Sequence, residues 1–347
     1  MGSSPEAGPV GNSAPLRIWF DYKHFEYWHR LEFERLVTAM SAGRSSEAVL
    51  VDDRGQADCV VRIGGCPSLG QDSLFKSLHL NKAKSPPEFV WDYSDLPTGA
   101  LPGFYASLPS YMYDQKRHRA FSIPLVCNEL VRPYDPNEAT FFYGFFGAIS
   151  SGVRARMVPL LNAHPRRAEG LIEVRDSIWN QMFDRSGLQP KLDYTENLRR
   201  SRFILCPRGS VLAGAGSRLY ETMQAARVPV LISDWITLPE GVDWEACSVR
   251  IKERDLGRIP EILEPYSGRW EQMAANARRS WEHHFSNEAL LDELGRQLKG
   301  LLSSYAEDDA LVRLSSRCRI ALGYAAYSPR LGYRRLQDLR ARARKRQ

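Results

Sequence analysis

The run FILCPRGSVLAGAGSRLYE, residues 203–221, decides how this chain is read. Phe203 to Cys206 is apolar and has the length of a buried strand. A loop follows with Gly209, Ser210, Gly214 and Gly216, whose glycines let the backbone come close to a ligand. Ser217 then opens a helical pattern. The free N–H groups and dipole of a helix start favour a phosphate. Arg208 and Arg218 flank that point and can neutralise a diphosphate by bidentate contacts. Glu221, one turn into the helix, can accept hydrogen bonds from ribose hydroxyls. Val228 to Ile232 reads as the next strand and closes on Ser233-Asp234-Trp235. Ligands in open α/β sheets sit at the carboxyl ends of the strands, so both loops fall in one crevice. The same residues also suit an ordinary strand–turn–helix, with Ser217 as the cap and the arginines on the surface.

Working outward, strand and helix alternate with short connections. Leu16–Phe20, Ala48–Val51, Cys59–Ile63, Phe89–Trp91 and Arg119–Leu125 are strand candidates, with a helix expected over Phe25–Met40. A second series starts at Phe141–Phe146. It continues with a helix from Val153 to Asn162, a strand at Leu171–Val174 and a basic helix over Tyr194–Arg202. Beyond the central run come a strand at Ser248–Ile251 and two or three helices between Arg254 and Ser304. This pattern calls for parallel sheets wrapped by helices. The expected fold is therefore α/β, with two doubly wound domains facing across a cleft. They meet near Arg132–Ala139, where Pro133 and Pro136 interrupt regular structure. The ranges are 16–135 and 136–305, with residues 1–15 as a disordered leader and 306–347 as C-terminal helices and a basic tail. Gly64–Pro87 reads as an irregular excursion.

Composition narrows the function. The chain has 347 residues, 43% hydrophobic and 25% charged, the balance of a globular protein. No apolar run reaches the roughly 18–20 residues that span a bilayer, and Met1 to Pro15 lacks the pattern of a signal peptide. A cytoplasmic location is the expectation. Cys59, Cys66, Cys127, Cys206, Cys247 and Cys318 never form a CxxC, which points to reduced thiols and away from zinc. The net charge is +6, yet residues 330–347 alone hold eight basic residues and one acid. The remainder is close to neutral, so overall charge argues against a nucleic-acid partner. In the tail, Leu331, Tyr333, Leu336 and Leu339 interleave with arginines in a helical amphipathic pattern, which suits an anionic membrane surface. GxGxxG, Walker A and GxSxG motifs are absent, leaving dehydrogenase, P-loop and hydrolase readings without support.

Residues 140–285 resemble the exostosin-like glycosyltransferases. The resemblance rests on Cys206-Pro207-Arg208-Gly209, Ser217-Arg218-Leu219-Tyr220-Glu221, Ala225-Ala226-Arg227-Val228-Pro229-Val230 and Ser233-Asp234, in that order. Leu238-Pro239, Asp243-Trp244 and Ile259-Pro260-Glu261 continue it. Upstream, Phe145-Phe146-Gly147 with Val153-Arg154 looks like the family's strand–loop–helix. The resemblance implies a GT-B fold, with residues 16–135 on the acceptor side and 136–305 binding a UDP-sugar donor. It implies inversion at the anomeric carbon, no metal site and no further cofactor. Arg208, Arg218 and Arg154 are then the cations facing the leaving diphosphate. The acceptor is expected to be a glycan or lipid-linked glycan in polysaccharide synthesis, with a bacterial-type cytosolic enzyme at the inner membrane face. A catalytically inactive glycan-binding or scaffold member, or another nucleotide-sugar-modifying α/β enzyme, would share much of this pattern.

Inverting transfer needs a general base opposite the leaving group. Asp92 and Asp95, just past a strand end in the N-terminal half, are the first candidates. Asp114 and His118 are the second. Turn capping and a solvated charge run are the ordinary roles of these residues. Tyr105, Tyr111 and Tyr113 suit either sugar stacking or the core.

Overall fold

The computed structural model describes residues 14–22, 27–43, 45–63, 86–93, 97, 99, 101–123, 128–175, 188–209 and 213–305. Residues 1–13 of the leader, residues 64–85 with Cys66, Asp95, Cys127 and Ser210, and the C-terminal helices and basic tail expected over 306–347, with Cys318, lie outside them.

Two parallel sheets with flanking helices make up the described chain. The first holds β1 (Leu16–Asp21), β2 (Ala48–Leu50), β3 (Cys59–Ile63), β4 (Glu88–Asp92), β5 (Gly103–Tyr105) and β6 (His118–Ala120), in the order β2-β1-β3-β4-β5-β6. The second holds β7 (Phe141–Gly147), β8 (Gly170–Val174), β9 (Ser201–Pro207), β10 (Val228–Ile232) and β11 (Val249–Ile251), in the order β11-β10-β9-β7-β8. Every pairing is parallel. This is the α/β, GT-B architecture that the strand–helix alternation and the resemblance implied.

Strands of such sheets are buried on both faces and read as continuous apolar runs. In the second sheet Phe203, Leu205, Val228, Val230 and Ile232 face α2 (Gly152–Asn162) through Val153, Met157 and Leu161. Ile204, Cys206 and Leu231 face the other way, towards α3 (Leu188–Arg200) and α4 (Ser217–Gln224) through Tyr194, Leu198, Leu219 and Met223. Strand order reverses between β7 and β9, which opens a crevice at their carboxyl ends.

In the first sheet, Ile18, Val61, Phe89, Trp91 and Phe104 pack on α1 (Tyr27–Ala42) through Phe33, Leu36 and Met40. The same core is covered by α8 (Asn287–Tyr305), through Leu290, Leu291, Leu294, Leu298 and Leu301. After the short helices α5 (Trp244–Cys247) and α6 (Ile259–Leu263), α7 (Trp270–His284) packs on the second sheet, and α8 follows it and crosses back to the first. Asp292 Oδ1 accepts from Ser45 Oγ at 2.5 Å and from the N–H groups of Ser46 and Glu47. Lys299 pairs with Glu47 at 2.8 Å.

Two expectations need correction. The strand expected over Arg119–Leu125 is His118–Ala120; Phe121 N–H still donates to the Tyr105 carbonyl at 3.0 Å, but Phe121 and Ile123 lie past the strand and pack into the core, and residues 124 and 125 lie outside the described residues. The helix expected over Tyr194–Arg202 is Leu188–Arg200, because Ser201 and Arg202 already belong to β9, where Ser201 pairs with β7. No helix among the described residues is long and apolar enough to cross a membrane.

Candidate functional site

The crevice at the ends of β7 and β9 collects most of the residues singled out from the sequence. Gly147 ends β7, Pro207 ends β9, and Ser217 starts α4 after Gly216, which adopts φ +68° and suits a residue without a side chain. Ser151 caps α2: its Oγ accepts from Arg154 N–H and donates to the Arg208 carbonyl at 2.9 Å. That bond ties the helix bearing Arg154 to the loop after β9.

Arg154 and Arg218 lie side by side under this crevice. Both guanidinium groups sit over the Phe145 ring, at 5.9 and 5.1 Å from its centroid. A Cβ on Gly147 would fall 2.6 Å from Arg218 Nη2 and 3.7 Å from Arg154 Nη1, so only glycine leaves Arg218 its place. Arg218 Nη2 donates to the Phe146 carbonyl at 2.6 Å. Arg154 donates to the carbonyls of Ala148 at 3.1 Å and Pro207 at 3.4 Å. Arg218 Nε and Nη1 and Arg154 Nε are buried and make no hydrogen bond. Burial first, and the Arg218 charge second, lower the Arg154 guanidinium to about 9, so it stays cationic at neutral pH.

Glu221 lies beside them, 7% exposed. Its Oε2 accepts from Tyr194 Oη at 2.8 Å and from Ser217 Oγ at 3.3 Å, while Oε1 is buried without a partner. Burial raises this carboxyl above its ordinary range, against the two hydroxyls and Arg218. Two part-buried arginines and one buried carboxyl thus present buried N–H groups and one buried oxygen that no other group of the protein engages.

Arg208 is engaged elsewhere. It grips Glu253 with Nε at 2.5 Å and Nη2 at 3.1 Å, both side chains being mostly buried. Glu253 N–H in turn donates to Asp234 Oδ1 at 2.9 Å, and Arg156 adds a further cation at 3.4 Å. Arg208 and Asp234 thus brace the loops after β9, β10 and β11 against one another. Ser233, just past the end of β10, has a buried Oγ with no partner. Gly209 lies against the Arg154 guanidinium, where a Cβ would fall 3.3 Å from Nη2.

The first sheet reaches this place through the loop after β5. Asp92 ends β4, is 2% exposed, and its carbonyl accepts from Ala106 N–H at 2.9 Å. Gly214 lies so close to that loop that a Cβ on it would be 2.6 Å from the Ala106 carbonyl and Ser107 Oγ. Ser110 N–H donates to the Trp235 carbonyl and Thr237 Oγ1 to the Leu108 carbonyl. Tyr111 and Trp235, both exposed, meet edge-on with centroids 5.4 Å apart. Asp114 and His118 are placed differently: His118 begins β6, at the opposite end of the sheet, and its ring is bound by Asp114 N–H and the Gly99 carbonyl. Tyr105 is core, against Val90 and Leu108.

Sequence reasoning missed Tyr194 and Glu253. Nothing in the segment around Tyr194 marks it. Glu253, two residues past a parallel strand, sits where a polar residue meets the crevice, and that position was a usable signal.

Among known proteins, the model of the exostosin GT47 domain matches residues 151–265. A probable glycosyltransferase of Arabidopsis thaliana is 31% identical over 138 residues, 39% of this chain and 26% of that protein. A probable glucuronoxylan glucuronosyltransferase of the same plant is 35% identical over 113 residues, 30% of this chain and 25% of that one. The chain thus spans about a quarter of the length of these curated relatives. A glycosyltransferase structure from Rickettsia africae aligns over 85% of this chain and all of its own, with TM-score 0.46 and 8% identity. Residues 151–265, which carry Arg154, Arg208, Arg218, Glu221 and Glu253, are thus the part of this chain that is similar to the exostosin GT47 domain.

Proposed function

We propose that the chain moves a glycosyl group from a UDP-sugar to a glycan acceptor, with inversion at the anomeric carbon. The observation that carries this is the part-buried Arg154–Arg218 pair, with buried, unpartnered N–H groups beside the unpartnered Glu221 oxygen. A ligand that satisfies both must bring anionic oxygens and a hydroxyl donor on one short frame, as a diphosphate on ribose does. The free N–H groups that open α4 add to the same field. In transfer, the acceptor oxygen bonds the anomeric carbon while the bond from that carbon to the diphosphate oxygen breaks. The bonding pair leaves with UDP, and Arg218, Arg154 and the α4 start stabilise the charge. The acceptor proton passes to a carboxylate, for which we propose Asp92, with Asp95 the second choice.

Incubating the protein with a panel of UDP-sugars, with and without glycan acceptors, and following UDP release tests this. Turnover that persists in EDTA supports cation stabilisation by arginine alone. Absence of both donor hydrolysis and a UDP-induced thermal shift refutes the donor site and favours a scaffold. Asp92→Asn should lower transfer at least about 100-fold with UDP affinity retained; near-normal turnover refutes the assignment. We further propose that the 330–347 tail attaches the protein to anionic membranes. Deleting it should abolish sedimentation with phosphatidylserine vesicles, and unchanged sedimentation refutes that attachment.

A further inference from the structure

The two oxygens of the Glu221 carboxylate are held in different circumstances. Oε2 takes the Tyr194 and Ser217 hydroxyls, and Oε1 takes nothing. Arg218 is three residues back on the same helix, at the spacing where opposite charges ordinarily pair. No ion pair joins Arg218 to Glu221 among the described residues, although pairing would satisfy both. Tyr194 lies on α3, from a segment 27 residues upstream. It is 4% exposed, and its ring packs edge-on against Phe146 at 5.7 Å. That packing places the hydroxyl, and turning the carboxylate towards Arg218 would cost the 2.8 Å bond from Tyr194 to Oε2.

We infer that Tyr194 is a positioning residue that makes this site selective for ribonucleotides: by holding Glu221 Oε2, it leaves Oε1 as a buried acceptor for a ribose hydroxyl. The inference rests on the donor-site reading. A buried acceptor that meets a hydroxyl in the correct ligand, and nothing in the analogue lacking it, discriminates strongly because the unmet group has lost its water. Phenylalanine at position 194 keeps the packing on Phe146 and removes only the hydroxyl. The carboxylate is then free to turn towards Arg218, and discrimination is lost while the arginines still hold the diphosphate.

The experiment measures UDP, 2′-deoxy-UDP and 3′-deoxy-UDP binding to the full chain by calorimetry, for the wild type, Tyr194→Phe and Ser217→Ala. The wild type should prefer UDP over at least one deoxy analogue by about 10–100-fold. Tyr194→Phe should reduce that preference to within about threefold, chiefly by weakening UDP, with affinity for the deoxy analogue little changed. Ser217→Ala, which removes the longer bond, should give an intermediate preference and serves alone if Tyr194→Phe does not fold. A wild type without preference, a Tyr194→Phe protein that keeps it in full, or equal weakening of UDP and its analogues overturns the positioning role. Failure of the wild type to bind UDP at all overturns the donor-site reading instead.

Discussion

Replacing Arg218 with methionine should separate binding from stability. In the free protein Arg218 makes one charge-assisted bond, to the Phe146 carbonyl, and lies over Phe145. Its Nε and Nη1 are buried without partners. Each such N–H costs about 1–3 kcal/mol, while a bond from a charged group contributes about 1.5–3 and the ring contact about 0.5–2. Methionine removes the unmet N–H groups, the charge-assisted bond and the cation's attraction to the ring, keeps an apolar contact with Phe145 and leaves one carbonyl unmet. The opposing contributions are of similar size, so urea unfolding of the free protein should shift by less than about 2 kcal/mol. UDP binding has no such cancellation. Two lost charge-assisted bonds to phosphate correspond to about 3–6 kcal/mol, or about 100-fold to 10,000-fold in affinity by calorimetry. Affinity within about tenfold of the wild type would refute the anion-site argument. So would a stability loss above about 4 kcal/mol, because Arg218 would then be a structural tie.

Arg227 offers the contrast. It is fully buried and donates to the carbonyls of Leu198, Tyr134, Ala226, Asp135 and Arg199, so Arg227→Ala should cost about 3–5 kcal/mol in urea unfolding. Arg227→Lys should recover only part, since an ammonium offers three donors. Gly147→Ala should push Arg218 off the Phe146 carbonyl and weaken UDP binding about tenfold, with less than about 1.5 kcal/mol lost in the free protein. The raised Glu221 carboxyl makes the folded state hold a proton that the unfolded chain has released. Its contribution is therefore complete below the ordinary carboxylate range and fades as pH rises through the raised value. The stability of Glu221→Gln relative to wild type should climb over that interval, and a flat difference between their pH profiles would refute it.

The local part of this structure was open to reading. Phe203 to Ile232 shows its strand, loop, helix and strand because each step has its own short-range mark: an apolar run, glycines, a helix-starting serine and a second apolar run. β5 escaped notice because Gly103–Tyr105 is three residues long and is a strand only through its neighbours β4 and β6. Arg208 looked like a free cation because its partner Glu253 is 45 residues away, and long-range pairing leaves no trace in spacing. Tyr194 reaches Glu221 over 27 residues with the same result. Arg227 stood inside the resemblance, but its work as a buried clamp appears only when five carbonyls from three segments converge on it.

The return of α8 to the first sheet bears on the order in which the protein can be made. Chains emerge from the ribosome N-terminus first, and domains generally fold as they emerge. The second sheet has its flanking helices close at hand in sequence. The first sheet does not: Ser45 waits for Asp292, 247 residues later. Until Leu290 to Leu301 are synthesised, Ile18, Phe33 and Met40 have an incomplete covering. Contacts of such separation are slow to form. The half of the molecule translated first is therefore the half that folds last, and during that interval its apolar face is what a chaperone would find.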